Sequence, residues 1–150
     1  MTENANDVDP MQYLVFVVGR FRLAIEVTEA IEIIRPLKKP DYFSIFAENE
    51  IVFHGKRILL VRLGVDLFNV PAYPVDDYRI IIVSADGKMM GLVVDAVEEI
   101  VHISGENFTM IPEHFTDINS DYLKGVISED NPIYILNTNP IYAHARDGYH

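Results

Sequence analysis

The stretch IIIVSADGKMMGLVVDAVEEIV, residues 80–101, decides the fold because it repeats the pattern of YLVFVVGRFRLAIEVTEAIEII, residues 13–34. After a shift of 67 positions the apolar pattern and the turn agree over most of the window. The identities in the window are Val27/Val94, Glu32/Glu99 and Ile33/Ile100. Agreement of pattern over such a length indicates an internal repeat, although two β-hairpins can also resemble each other by chance.

Each copy of the repeat predicts a β-hairpin followed by a short helix. Residues 13–18 form an apolar run typical of a buried strand, Gly19-Arg20 supplies a tight turn, and residues 21–27 return. Four residues then fall at helical spacing: Val27, Ala30, Ile31 and Ile34. Thr28 is the expected N-cap, Asp95 the equivalent cap in the second copy, and Pro36 the end of the first helix.

A second internal similarity lies downstream, where residues 51–61 resemble residues 126–136 after a shift of 75 positions. The chain is therefore expected to form two short-stranded β-barrels, at residues 12–78 and 79–142. A half of this size is marginally stable alone, so the halves should pack together and leave a groove at their junction. The expected fold class is all-β with short helices.

The composition excludes several classes of partner. The chain has 150 residues and a formal net charge of −11, from 23 acidic and 12 basic residues. Nucleic acid is disfavoured because phosphate binding depends on clustered Lys and Arg, and an anionic membrane surface is disfavoured for the same reason. Direct membrane insertion is not expected, because the longest apolar run is far too short to cross a bilayer.

The sequence at the two ends of the chain predicts neither packed structure nor an export signal. Residues 1–11 are expected to form a disordered acidic lead, and residues 146–150 a tail. The N-terminus has neither the basic nor the apolar region of a signal peptide. The expected location is cytoplasmic.

The sequence contains no arrangement of residues that is typical of a catalytic or metal-binding site. It contains no cysteine, and its five histidines are His54, His102, His114, His144 and His150, without the spacing of a zinc protease. No nucleophile elbow, Walker loop or dinucleotide fingerprint occurs. We expect no catalytic, metal-binding or cofactor-binding residues. A chain of this kind is suited to binding other proteins in a groove.

These segments together resemble the CheW-like family, the coupling proteins of bacterial chemotaxis arrays. The stretch at residues 91–97, GLVVDAV, is similar to a family signature, and the opening strand and turn at residues 12–19 also match. Residues 63–68 resemble the short helix that closes the first half. The resemblance covers residues 12–145.

Resemblance to this family implies two five-stranded SH3-like barrels without enzymatic activity. It also implies an adaptor that joins the regulatory domain of a CheA-type histidine kinase to the cytoplasmic tips of methyl-accepting receptors. The implied partner-binding residues lie around the barrel junction: Ala30, Ile31, Glu32, Ile34, Val52, Phe53, His54, Val94 and Asp95.

One region departs from the family pattern. Where the family carries Asn-Leu-Arg-Gly, this chain reads Val52-Phe53-His54-Gly55, and Arg62 replaces an aspartate. The segment at residues 41–50 is also shorter. Loss of the arginine removes a fork of hydrogen-bond donors, so we expect weak binding to a standard receptor tip. Phe53 is either an exposed anchor or a residue of the barrel interior, since strand alternation allows both.

Two other functions stay open on the sequence. The chain could be a degenerate CheW-like docking module in another pathway, such as pili or surface motility. It could also be a ligand-binding β-barrel that shares only the architecture, because a fold does not fix a function.

Overall fold

The computed structural model describes residues 11–35, 50–67, 78–104, 108–110, 119–127 and 131–148. Eleven strands lie in these ranges: β1 (Met11–Val18), β2 (Phe21–Glu26), β3 (Ala30–Ile34), β4 (Glu50–Phe53), β5 (Lys56–Arg62), β6 (Arg79–Ala85), β7 (Lys88–Val94), β8 (Ala96–Ile103), β9 (Phe108–Thr109), β10 (Leu123–Ile127) and β11 (Ile133–Leu136). The helices are α1 (Leu63–Leu67) and α2 (Thr138–Gly148), and short 3₁₀ turns span Val27–Glu29 and Ser120–Tyr122. Nearly all of the expected N-terminal lead and of the shortened segment at residues 41–50 lies outside the described residues.

The strands form two sheets, which confirms the expected all-β class. The six-stranded sheet has the order β8-β1-β2-β11-β10-β9, and the five-stranded sheet has the order β3-β6-β7-β5-β4. Neighbouring strands are antiparallel in both sheets, except that β11 runs parallel to β2 and β5 runs parallel to β7.

The repeat is visible in the strand orders, but the two halves exchange strands. The shift of 67 positions places β1, β2 and β3 on β6, β7 and β8. The β1–β2 hairpin lies beside β8, and the β6–β7 hairpin lies beside β3. The chain crosses to the other sheet after each hairpin, through Val27–Glu29 in the first copy and through Asp95 in the second. The sheets therefore do not follow the expected division into residues 12–78 and 79–142.

Three apolar clusters hold this arrangement together. One cluster belongs to the six-stranded sheet alone and contains Tyr13, Val15, Ala24, Ile103, Ile127, Ile133 and Ile135. A second belongs to the five-stranded sheet and its flank: Phe53, Ile58, Leu60, Tyr78, Ile80, Ile82 and Val93. The third, which we call the shared core, takes residues from both sheets and both helices, among them Phe16, Leu23, Leu63, Ile81, Leu92 and Ile141. The alternation of side chains along β1, β2, β6 and β7 explains how each strand serves two cores.

Tight turns join the hairpins at the positions that the repeat predicts. Asp86 and Gly87 have φ angles of 56° and 81°, and Gly19 has a φ angle of 59°. His54 and Gly55 adopt the same left-handed conformation, at 49° and 79°. Two successive residues with positive φ are the mark of a type I′ turn, whose twist suits a two-residue hairpin.

The prediction of a helix after each hairpin is wrong. In the first copy the chain makes a 3₁₀ turn at Val27–Glu29 and continues as strand β3; in the second, β8 begins directly after Asp95. Glu26, rather than Thr28, caps the 3₁₀ turn through a capping box with Glu29. The apolar spacing fitted a helix, but the β-branched residues of β3 pair with β6 instead.

The two α-helices lie outside the repeated window. The expected helix at residues 63–68 is confirmed as α1, and Asp66 accepts a hydrogen bond from the backbone N–H of Arg62 at 3.1 Å. The expected C-terminal tail is partly helical, because α2 continues to Gly148. Ile141 and Ala145 bury one side of α2 in the shared core.

Candidate functional site

The junction of the two sheets is built by the 3₁₀ turn and by the edge strands β3 and β8. The turn at Val27–Glu29 contacts both β1 and β6. Val27, Ala30 and Val97 are half-buried and pack against the shared core. Because β3 ends the five-stranded sheet and β8 ends the six-stranded sheet, both strands border the shared core with one edge unshared within their sheet.

Strand β3 presents aliphatic side chains beside the shared core. Ile33 pairs with Ile81 of the shared core, yet it is 42% exposed, and Ile31 is 48% exposed. Glu32 is exposed as well, whereas Ile34 is half-buried against the core of the five-stranded sheet. Ile31 occupies a β-bulge, since the β3–β6 register shifts between Ala30 and Glu32. Of the predicted residues of β3, Ala30 packs against the shared core and Ile34 against the core of the five-stranded sheet.

Strand β8 carries exposed and half-buried aliphatic residues like those of β3, which the sequence analysis did not single out as partner-binding residues. Ile100 is 53% exposed although its partner Leu14 belongs to the shared core, and Val97 packs against that core. The β1–β8 register shifts between Val97 and Glu99, so Glu98 occupies the same bulge position as Ile31. The identities Glu32/Glu99 and Ile33/Ile100 were the available signal. They were read as marks of the repeat rather than as residues of a surface.

Val94 and Asp95 lie at the end of β7, where the chain crosses between the two sheets. Val94 is 1% exposed and belongs to the shared core, so its side chain is not open to a partner in this structure. Its burial follows from its place at the end of β7, a central strand. The half-buried carboxylate of Asp95 accepts a hydrogen bond from the backbone N–H of Gly19 at 2.8 Å. The backbone N–H of Asp95 donates to the carbonyl of Val17 at 2.9 Å.

The residues that depart from the family pattern, Val52, Phe53 and His54, lie at the β4–β5 hairpin of the five-stranded sheet. We call this region the altered corner. Phe53 is 7% exposed and packs in the core of that sheet, so the exposed anchor is ruled out in favour of the interior position. Val52 is 66% exposed, as the alternation along β4 requires. His54 is exposed in the hairpin turn, and its ring meets the Phe53 ring edge-on at 4.3 Å between centroids.

His54 reaches across the five-stranded sheet to Glu32. Its Nε2 lies 3.8 Å from Glu32 Oε1, which brings the turn after β4 to strand β3 although these strands end opposite sides of the sheet. The sheet therefore curls until its edges approach. Both side chains are more than half exposed, so this contact contributes little to stability. Arg62 acts locally, with Nε 3.4 Å from Asp66 Oδ2.

Among the described titratable residues there is no candidate metal site, and two buried tyrosines have raised pKa values. No group of three or more His, Asp or Glu side chains in the described ranges is placed to hold a metal ion. Burial raises the pKa of Tyr13, and the nearby Glu26 adds to that rise while Lys124 opposes it. Burial also raises the pKa of Tyr78. Both tyrosines belong to apolar cores, where a neutral phenol is the favoured form.

Comparison with known proteins gives one consistent result. The family model of the CheW-like domain matches residues 12–146. A probable chemotaxis protein CheW from Rhizobium etli is 28% identical over 86 residues, which cover 57% of this chain and 56% of that protein. The match therefore spans little more than half of that curated relative.

The fold is also similar to a solved structure. The crystal structure of the scaffolding protein TtCheW from Thermoanaerobacter tengcongensis has a TM-score of 0.70 and 25% sequence identity. The likeness covers 85% of this chain and 89% of that one. Among the helices that the structure describes, none is long and apolar enough to cross a membrane.

Proposed function

The chain belongs to the CheW-like domain family, and on this premise we propose that it is a non-catalytic cytoplasmic adaptor. It binds the regulatory domain of a CheA-type histidine kinase and couples it to a chemoreceptor or to another component of the signalling array. The family match over residues 12–146 supports an adaptor role rather than a ligand-binding barrel.

The observation that carries the proposal is the apolar junction between the sheets. Ile33 and Ile100 pair with Ile81 and Leu14 of the shared core, and Ile31, Ile33 and Ile100 are all exposed. Exposed aliphatic side chains lose unfavourable contact with water when a partner covers them. A bound partner therefore stabilises this surface without any chemistry taking place there.

The altered corner bears on which partner is bound. His54 can offer Glu32 or a partner carboxylate one contact, where the family arginine offers a bidentate fork. We therefore expect weak binding to a standard receptor tip. Kinase binding should be less affected, because it uses largely other surfaces.

A side-by-side pull-down tests the proposal. The full chain is immobilised and exposed to the CheA-type regulatory domain and to a receptor-tip fragment from the same organism. Retention of the kinase domain with little receptor tip is the expected result. Retention of neither by folded protein contradicts the adaptor function, and retention of a kinase domain from a pilus or motility system instead would assign the chain to that pathway.

A further inference from the structure

The side chain of Arg22 connects elements on both sides of its own strand in the six-stranded sheet. Arg22 lies in β2, between β1 and β11. Its Nε donates a hydrogen bond to Glu98 Oε1 in β8 at 3.1 Å, which reaches across β1. Its Nη1 donates to the backbone carbonyl of Asn131, just before β11, at 2.9 Å. One guanidinium therefore joins the edge strand β8 to the turn that leads into β11.

The guanidinium is largely withdrawn from water. The side chain of Arg22 is 16% exposed, and that of Glu98 is 36% exposed. Arg22 pairs with Ile133, which belongs to the core of the six-stranded sheet, so Arg22 lies on the face of the sheet that carries this core. A hydrogen bond between charged groups is stronger in such a partly desolvated place than in open water.

The residue that Arg22 holds in β8 is poorly fixed by the sheet itself. The β1–β8 register pairs Phe16 with Val97 and Val15 with Glu99, which leaves Glu98 without a partner in β1. A bulged residue interrupts the hydrogen bonds of the ladder. The contact with Arg22 therefore supplies an anchor for Glu98 that backbone pairing does not.

The other copy of the repeat uses different residues at these places. The shift of 67 positions puts Arg22 on Met89 and Glu98 on Ile31. Met89 packs against the core of the five-stranded sheet, and Ile31 occupies the bulge of β3. A methionine has no hydrogen-bond donor to offer to a carbonyl. The charged pair therefore adds a directional link that the apolar pair in the other sheet cannot make.

We propose that Arg22 is a clamp that couples the order of the β8 bulge to the order of the turn before β11. The guanidinium is planar and its donors have a fixed geometry, so loss of one of these two partners frees it to move away from the other. A disturbance at either place then loosens both. This coupling is a property of the fold, and it does not depend on the adaptor function.

Amide hydrogen exchange of the full chain, followed by NMR, tests the coupling. Glu98→Ala removes the partner in β8 and is expected to speed exchange at least tenfold at residues 96–99 and also at residues 133–135. Rates are compared with those of β6 and β7, so that a general loss of stability does not count as coupling. Glu99→Ala is the matched control, because Glu99 Oε2 lies 4.0 Å from Arg22 Nη2, too far for a hydrogen bond. It should leave residues 133–135 unchanged.

Variants of Arg22 test the clamp from its centre. Arg22→Met should speed exchange at both places, and Arg22→Lys, which keeps the charge without the fork, should protect at most one of them. The double variant Arg22→Met, Glu98→Ile installs the pair of the other sheet and should restore protection in β8 but not at residues 133–135. Unchanged exchange at residues 133–135 in Glu98→Ala, an equal effect of Glu99→Ala, or full protection of both places in the double variant would overturn the proposal.

Discussion

The buried hydroxyl of Thr138 donates a hydrogen bond to Glu29 Oε2 at 2.7 Å, between residues 109 positions apart. Thr138 is the first residue of α2, and Glu29 ends the 3₁₀ turn at the sheet junction. The other oxygen of Glu29 accepts from the backbone N–H of Glu26 at 3.3 Å. The C-terminal helix is thereby tied to the segment that leads into β3.

Replacement of Thr138 by valine should destabilise the protein by about 1–3 kcal/mol. The change keeps the shape of the side chain but removes the donor to Oε2 of the part-buried Glu29 carboxylate, and the loss of such a hydrogen bond has this magnitude. Urea denaturation measures it. Thr28→Val, at an exposed residue of the same turn, should stay within about 0.5 kcal/mol. Equal effects of the two changes would show that the bond to Glu29 contributes nothing.

Val94→Ala should cost about 1–3 kcal/mol, because it removes methyl groups from the shared core. The half-buried Val27, its counterpart in the repeat, should cost less. Val52→Ala is the control at an exposed position and should change the free energy of unfolding by less than about 0.5 kcal/mol. A loss of that small size at Val94 would contradict its place in the core.

The stability of the protein should fall at alkaline pH, partly through Tyr13. Burial raises the pKa of Tyr13, so the folded protein holds the phenolic proton more tightly than the unfolded chain does. The resulting stabilisation is complete below about pH 10, the ordinary tyrosine pKa, and is lost as the pH rises through the higher folded-state value. Tyr13→Phe should therefore lose less stability between about pH 9 and about pH 11 than the unaltered chain, measured by urea denaturation. An unchanged pH profile would argue against burial as the cause.

His54→Arg should raise the affinity for a receptor-tip fragment at least tenfold, which is about 1.4 kcal/mol. The guanidinium restores a fork of donors next to Glu32. Val52→Asn can be added, but Phe53 should be left unchanged because it fills the core of the five-stranded sheet. If the unaltered chain already binds the tip as strongly as ordinary relatives do, the corner has not been altered in function.

The repeat in the sequence predicted the hairpins and their turns, since apolar alternation and Asp86-Gly87 act locally. It did not predict the strand exchange, because pairing of β1 with β8 depends on contacts far apart in the chain. The spacing of Val27, Ala30, Ile31 and Ile34 fitted a helix, yet pairing with β6 made most of that segment a strand. Local pattern alone cannot weigh such a tertiary contact.

The candidate site was predicted in part. Ala30, Ile31 and Glu32 lie at the junction, while Val94 and Phe53 proved to be buried. Alternation along β4 allowed either face for Phe53, and in the structure Phe53 packs into the core of the five-stranded sheet. Ile33 and Ile100 were missed because their exposure depends on the edge positions of β3 and β8, which follow from the strand order.

The central claim is that this chain is an adaptor for a CheA-type kinase, and isothermal titration with the regulatory domain of that kinase from the same organism tests it most directly. We predict a saturable complex with a dissociation constant of about 10 µM or tighter, a strength within the range of transient signalling contacts. Absence of any complex with correctly folded protein would contradict the account.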